Sequence, residues 1–226
     1  IGLLLGGILK GQELITSARV RNLADQNSGV QAAYYGFIDR FRSLPGDMPQ
    51  VAAQNAIGVA AGVLPADGPN VGNGTIDDSD FLEASAVWSH LAAANFITGG
   101  YPGGAAAATY APGVAGVPFA PANAFQGAVL LGSMDEYQQG VGLPPQALRL
   151  AFSFGTQIPV NVLRELDVKI DDSLPQTGIM RAATTAAVNV AWGTVNLSQG
   201  GATPCVAPPV GGGAAQIWYI VANAQN

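Results

Sequence analysis

Apolar positions recur at steps of three and four along the N-terminal part of the chain. Leu14, Ile15, Ala18, Leu23, Val30, Tyr34, Phe37, Ile38 and Phe41 fall on this spacing, with Glu13, Arg19, Arg21, Asp25, Asp39 and Arg40 between them. The pattern predicts an amphipathic helix. Ahead of it, residues 1 to 9 read IGLLLGGIL and carry no polar side chain until Lys10. No proline precedes Pro45, so the helix is expected to run about 42 residues, roughly 60 Å at 1.5 Å per residue. Ser43 to Asp47, "SLPGD", supplies the stop. An apolar run this short does not cross a bilayer, which takes about 20 residues. It also lacks the basic flank and small-residue cleavage site of a signal peptide.

Farther along, the pattern changes to short β-branched or aromatic runs bounded by Gly, Pro or Asn. These are GAVLLGSM (127–134), ALRLAFSF (147–154), AVNVAWGTV (187–195) and AQIWYIVA (215–222), and they predict an antiparallel sheet. IPVNVLRELDVKID (158–171) reads as a short helix with Pro159 at its start. Another helix is expected from about Asp78, with Asp78 or Ser79 as N-cap and Glu83 in its first turns. Laying the sheet on the aromatic face Tyr34, Phe37, Ile38, Phe41 gives an α+β fold: a long N-terminal helix on an antiparallel sheet head with long Gly/Pro-rich loops. The expected division is a helix over 1–45, apolar in 1–23 and amphipathic in 24–45, followed by a head over 46–226.

Composition narrows the classes of function. Charged residues make up 11% of the 226, while Gly (30) and Pro (15) are high, which leaves a largely uncharged surface. The net charge is −6, and no basic patch exists to neutralise a phosphate backbone, which argues against nucleic-acid binding. Cys205 is the one cysteine and His90 the one histidine, so neither an intrachain disulfide nor a Cys/His zinc cluster can form. Low charge without nucleotide or metal motifs points to an envelope or extracellular protein. No GxSxG, HExxH, Walker A or Rossmann glycine pattern occurs. His90, two residues after Trp88, reads as packed or capping rather than catalytic, and no enzyme activity is expected.

An apolar stretch running into a long amphipathic helix that ends in "FRSLPGDMP" resembles the type IV pilin and pseudopilin superfamily. Two further stretches resemble pilin-like proteins with a larger head: "GPNVGNGTIDDSDFLEASAVWSHLAAANFITG" (68–99) and "LDVKIDDSLPQTGIMRA" (166–182). The resemblance implies roughly a dozen further apolar residues before Ile1, which would complete a span. It implies a structural subunit held in the bacterial inner membrane and then polymerised into a homo-oligomeric surface filament, with the pilus assembly machinery as its partner. Ile1, Leu3, Leu4, Leu5, Ile8, Leu9, Lys10, Glu13 and Leu14 would then make the assembly contacts, and the loops 99–127 and 199–213 would cover the surface or touch a neighbouring subunit. The alternatives are a periplasmic type II secretion pseudopilin, or a membrane-tethered binding module using Tyr101, Tyr110, Phe119 and Phe125.

Asp67, Asn70, Asn73, Asp77 and Asp80 place five side-chain oxygen donors within fourteen residues, beside Gly72 and Gly74. Hard cations such as calcium take ligands of this kind, and some pseudopilins hold calcium in the head. The match to an EF-hand is partial, because setting Asn73 and Gly74 at loop positions five and six puts Pro69 and Val71 at positions one and three. The plainer reading is an Asx-turn loop that caps the following helix. A second acidic knot, Asp167, Asp171 and Asp172, either binds its own ion, closes the first site, or pairs with Arg164, Lys169 or Arg181.

Overall fold

The computed structural model describes residues 2–58, 71–76, 81–104, 119–134, 137, 147–154, 158–174, 177–182 and 218–221. The chain is α+β, with a long N-terminal helix and an antiparallel sheet. Helix α1 (Gly2–Phe41) runs 40 residues without a break. It ends where Arg42 turns left-handed at φ 56° while its N–H still donates to Ile38 O at 2.8 Å.

One stripe of α1 is buried: Val20, Leu23, Asn27, Val30, Tyr34 and Phe37. Their alternating steps of three and four keep them on one face. The seated half therefore begins at Val20, a turn earlier than the expected boundary at residue 24. Ala18, Leu14 and Ile15, read as part of the same apolar face, point to solvent instead. Asn27 enters the stripe as a polar residue, which is why hydrophobic spacing alone passes over it.

Helix α2 (Gln50–Ile57) was not anticipated. Pro49 precedes it and Gly58 ends it at φ 70°, donating its N–H to Gln54 O at 3.2 Å, the usual proline-start and glycine-stop arrangement. Helix α3 (Phe81–Ala93) lies in the expected segment. Every residue from Glu83 to Leu91 is buried, so this helix has core on all sides. Asn95, at φ 63°, closes it, with Phe96 N–H donating to Leu91 O at 2.9 Å and Asn95 N–H to Ala92 O at 3.0 Å. That pair of bonds satisfies carbonyls that would otherwise be orphaned at the helix end.

Strands β1 (Leu130–Met134), β2 (Arg149–Ser153), β3 (Met180–Ala182) and β4 (Trp218–Val221) form a sheet in the order β1-β2-β4-β3, antiparallel throughout. Three lie inside expected runs. β3 has only three residues, too few for alternation to register. The run expected over 187–195 and the caps Asp78 and Ser79 lie outside the described residues. Helix α4 (Val160–Ile170), one or two residues shorter at each end than expected, packs on α1 between β2 and β3 in chain order.

The apolar side chains of α1, α3, α4 and the sheet form one cluster, with Trp88, Phe37, Phe154 and Leu23 among its fully buried members. The end of the loop expected at the surface belongs to this body. Buried Asn123 accepts N–H bonds from Phe125 (2.7 Å) and Gly127 (3.0 Å) and donates to Phe154 O (2.8 Å). Gln26 of α1 donates to Ala122 O at 3.0 Å, and Arg19 lies 4.9 Å from the Phe125 ring centre.

Candidate functional site

The first half of α1 differs from the second. Ile8, Leu9, Leu14 and Ile15 are 57 to 63% exposed, and a Cβ added at Gly6, Gly7 or Gly11 would meet nothing within 4 Å. This leaves an apolar helix surface uncovered among the described residues, including glycines that permit a second helix to approach closely. Lys10 Nζ donates to Glu13 Oε2 at 2.7 Å, an exposed pair on one helix face. Leu3, Leu4 and Leu5 lie in the same helix, and Ile1 is outside the described residues. Among the described residues, no helix is long and apolar enough to cross a membrane.

A second construction joins the end of α1 to the glycine-flanked loop. The buried Asp47 carboxylate accepts backbone N–H bonds from Gly72, from Asn73 at 3.2 Å and from Gly74 at 2.8 Å. Successive N–H groups converging in this way make an anion cradle, and here the chain's own aspartate fills it. One residue earlier, the N–H of Gly46 donates to His90 Nδ1 at 2.9 Å. Gly46 sits at φ 95°, and a Cβ there would come within 2.8 Å of Glu83 O, so only glycine lets the turn close on α3. Burial lowers His90 to about 4. The ring is therefore neutral, with its hydrogen on Nε2, and it stacks on Phe37 at 6.2 Å and 8°.

Of the first expected ligand set, Asn73 alone lies in the described residues; Asp67, Asn70, Asp77 and Asp80 do not. Asn73 Oδ1 accepts from Thr75 N–H and from Thr75 O–H, both at 2.7 Å. Asp47 was read from sequence only as part of the helix stop. Its role is non-local, since the donors lie 25 to 27 residues away. The available signal was the pair of glycines around Asn73, which free the backbone to turn its amides one way.

The second acidic knot does come together. Ligand oxygens of Asp167, Asp171 and Asp172 all lie within 4.8 Å of one another. Asp167 is on the inner face of α4 with Leu163 and Leu166, at 0% exposure. Among the described residues, neither of its oxygens has a hydrogen-bond partner. Burial pushes its carboxyl up to about 7, and the charges of Asp172 and Asp171 add to the shift. Asp171, the C-cap of α4, accepts N–H bonds from Ile179 and from Met180, the latter at 3.0 Å. Asp172 accepts from Leu174 N–H at 2.8 Å and from the Thr177 hydroxyl.

Two of the three basic partners expected for this knot make contacts elsewhere. Lys169 pairs with Glu165 at 2.8 Å. Arg181 donates Nε–H to Gly178 O at 2.8 Å and lies 5.5 Å from the Tyr137 ring centre. No ion pair among the described residues includes Asp167, Asp171, Asp172 or Arg164. Tyr101, Phe119 and Phe125, the loop aromatics expected of a binding module, pack against the core, and Tyr110 lies outside the described residues. No family model, curated protein or solved structure matches the chain.

Proposed function

We propose that the chain is a structural subunit of a type IV pilus-like filament that polymerises through the first half of α1. The observation that carries this reading is the contrast within one helix: Val20 to Phe37 seat on the head, while Ile8, Leu9, Leu14 and Ile15 stay exposed among the described residues. Apolar side chains on such a surface gain free energy when equivalent helices exclude water from between them. Gly6, Gly7 and Gly11 leave room for that approach. In this reading the subunit waits in the bacterial inner membrane and is extracted into a surface fibre, and it performs no catalysis. Tyr101, Phe119 and Phe125, the described loop aromatics on which a tethered binding module would rely, pack against the core instead.

The Lys10 and Glu13 pair would enter the fibre interior, where an ion pair tolerates burial only while both partners remain. Lys10→Glu puts like charges on that face and leaves the head untouched. Electron microscopy of sheared surface material is expected to give long fibres from the native chain and at least about tenfold fewer from the variant, the change that about 1.4 kcal/mol would make in a single association constant. Recovery of the native chain only in the membrane fraction, without fibres, overturns the surface-filament reading and favours a pseudopilin.

A further inference from the structure

We infer that Asp167, Asp171 and Asp172 form a site for one hard divalent cation, and that calcium is the ion that fits. Asp167 opens the argument. Its carboxylate is fully buried, within reach of the other two, and neither oxygen accepts a hydrogen bond among the described residues. Ionised groups persist in a protein interior when an opposite charge or a metal compensates them. The chain supplies no such charge among the described residues, since Lys169 is bound to Glu165 and Arg181 reaches Gly178 O and Tyr137.

Helix polarity adds to the need. Asp167 lies in the last turn of α4 and Asp171 caps it, so both sit at the helix end that carries partial negative charge. Three carboxylates at that pole repel each other and the helix, and a cation among them reverses every one of these terms.

Coordination habit selects the ion. Calcium accepts about six to eight oxygens in irregular arrangements, whereas magnesium demands a near-ideal octahedron and usually keeps several waters. The three aspartate oxygens lie within 4.8 Å of each other, near enough to share one ion, and two of the carboxylates are already tied by the loop, which suits the more tolerant cation. All the donors are oxygens, the preference of a hard cation.

The surrounding loop holds two of the ligands in place. Ile179 and Met180 fix Asp171, while Leu174 and Thr177 fix Asp172. Gly178, at φ 68°, lets the loop close over Asp171, where a Cβ would overlap the carboxylate. An ion here ties the last turn of α4 to the loop that enters β3, an outer strand of the described sheet. The site does not depend on the filament reading, and either can fail alone.

The test strips the full chain with EDTA and titrates calcium chloride, following heat release and the thermal midpoint. One calcium per chain is expected, with a midpoint rise of roughly 5 °C at saturation and a smaller rise with magnesium. Asp167→Asn should abolish the calcium response and melt above the native chain in EDTA, because a neutral amide removes the uncompensated charge. Asp172→Asn provides a second variant, expected to weaken calcium binding at least tenfold. A native midpoint indifferent to calcium overturns the site. An undiminished response in both variants also overturns it and places the ion elsewhere, and magnesium binding as tight as calcium refutes the choice of ion.

Discussion

Asp47 and Asp167 are both aspartates sealed from solvent, and opposite means keep them there. Asp47 has three backbone N–H groups of the 72–74 loop converging on it, so the protein replaces the water its carboxylate lost. Asp167 receives none. The cradle around Asp47 cannot form without the carboxylate, which makes that residue part of the fold. No hydrogen bond among the described residues depends on the Asp167 carboxylate, and its buried charge is an expense to the fold. A buried carboxylate thus points to architecture when its oxygens are satisfied by the chain and to a ligand when they are not.

The comparison breaks most readily at Asp47. Replacing it with alanine removes three charge-assisted bonds and frees the 72–74 loop from the end of α1. Urea unfolding should register a loss of about 4 kcal/mol; a loss below about 1 kcal/mol would demote the cradle to decoration.

His90 holds the residue next to Asp47, and its titration gives the next largest effect. The folded protein takes up the second imidazole proton only near pH 4, whereas an unfolded histidine does so near 6.5. Between those values the unfolded state binds more protons, so stability is complete above about pH 6.5 and falls as pH drops towards 4, by about 3 kcal/mol. In His90→Asn the amide oxygen stands in for Nδ1, and the difference between its pH profile and the native one isolates this contribution. Superimposable profiles would remove His90 as the source.

At Asp167 the sign reverses: in EDTA at pH 8, Asp167→Asn is expected to gain about 2 kcal/mol by urea unfolding. The smallest effect sharpens the point. Lys169 is the cation nearest to Asp167 along the chain, yet its half-exposed pair with Glu165 should make Lys169→Ala worth about 0.5 kcal/mol or less. A cost of several kcal/mol would mean that Lys169 compensates Asp167 after all.

Local pattern makes much of this fold legible. The span and end of α1 follow from uninterrupted helical spacing and a proline, and β1, β2, β4, α3 and α4 lie in segments the pattern marked. Val20 and Asn27 extend the buried stripe, and spacing without knowledge of where the head begins does not include them. α2 escaped because only Ala53 of its eight residues is buried, which leaves almost no apolar signature. The acidic knot was visible as three aspartates, but not the burial of one and the isolation of its oxygens. Those depend on what α4 packs against and on Lys169 turning to Glu165. Asp47 was hidden for a related reason, since its partners are distant in sequence and are backbone amides, which every residue but proline has.

Helix α3 carries a consequence in time rather than energy. From Glu83 to Leu91 it has no side facing water, so its amides trade hydrogen with solvent only when the whole core opens. The exposed turns of α1 around Ile8 to Ile15 need only open locally. Deuterium would therefore enter that half of α1 early and reach Val87 to Leu91 last, making one short helix the record of every complete unfolding the molecule undergoes.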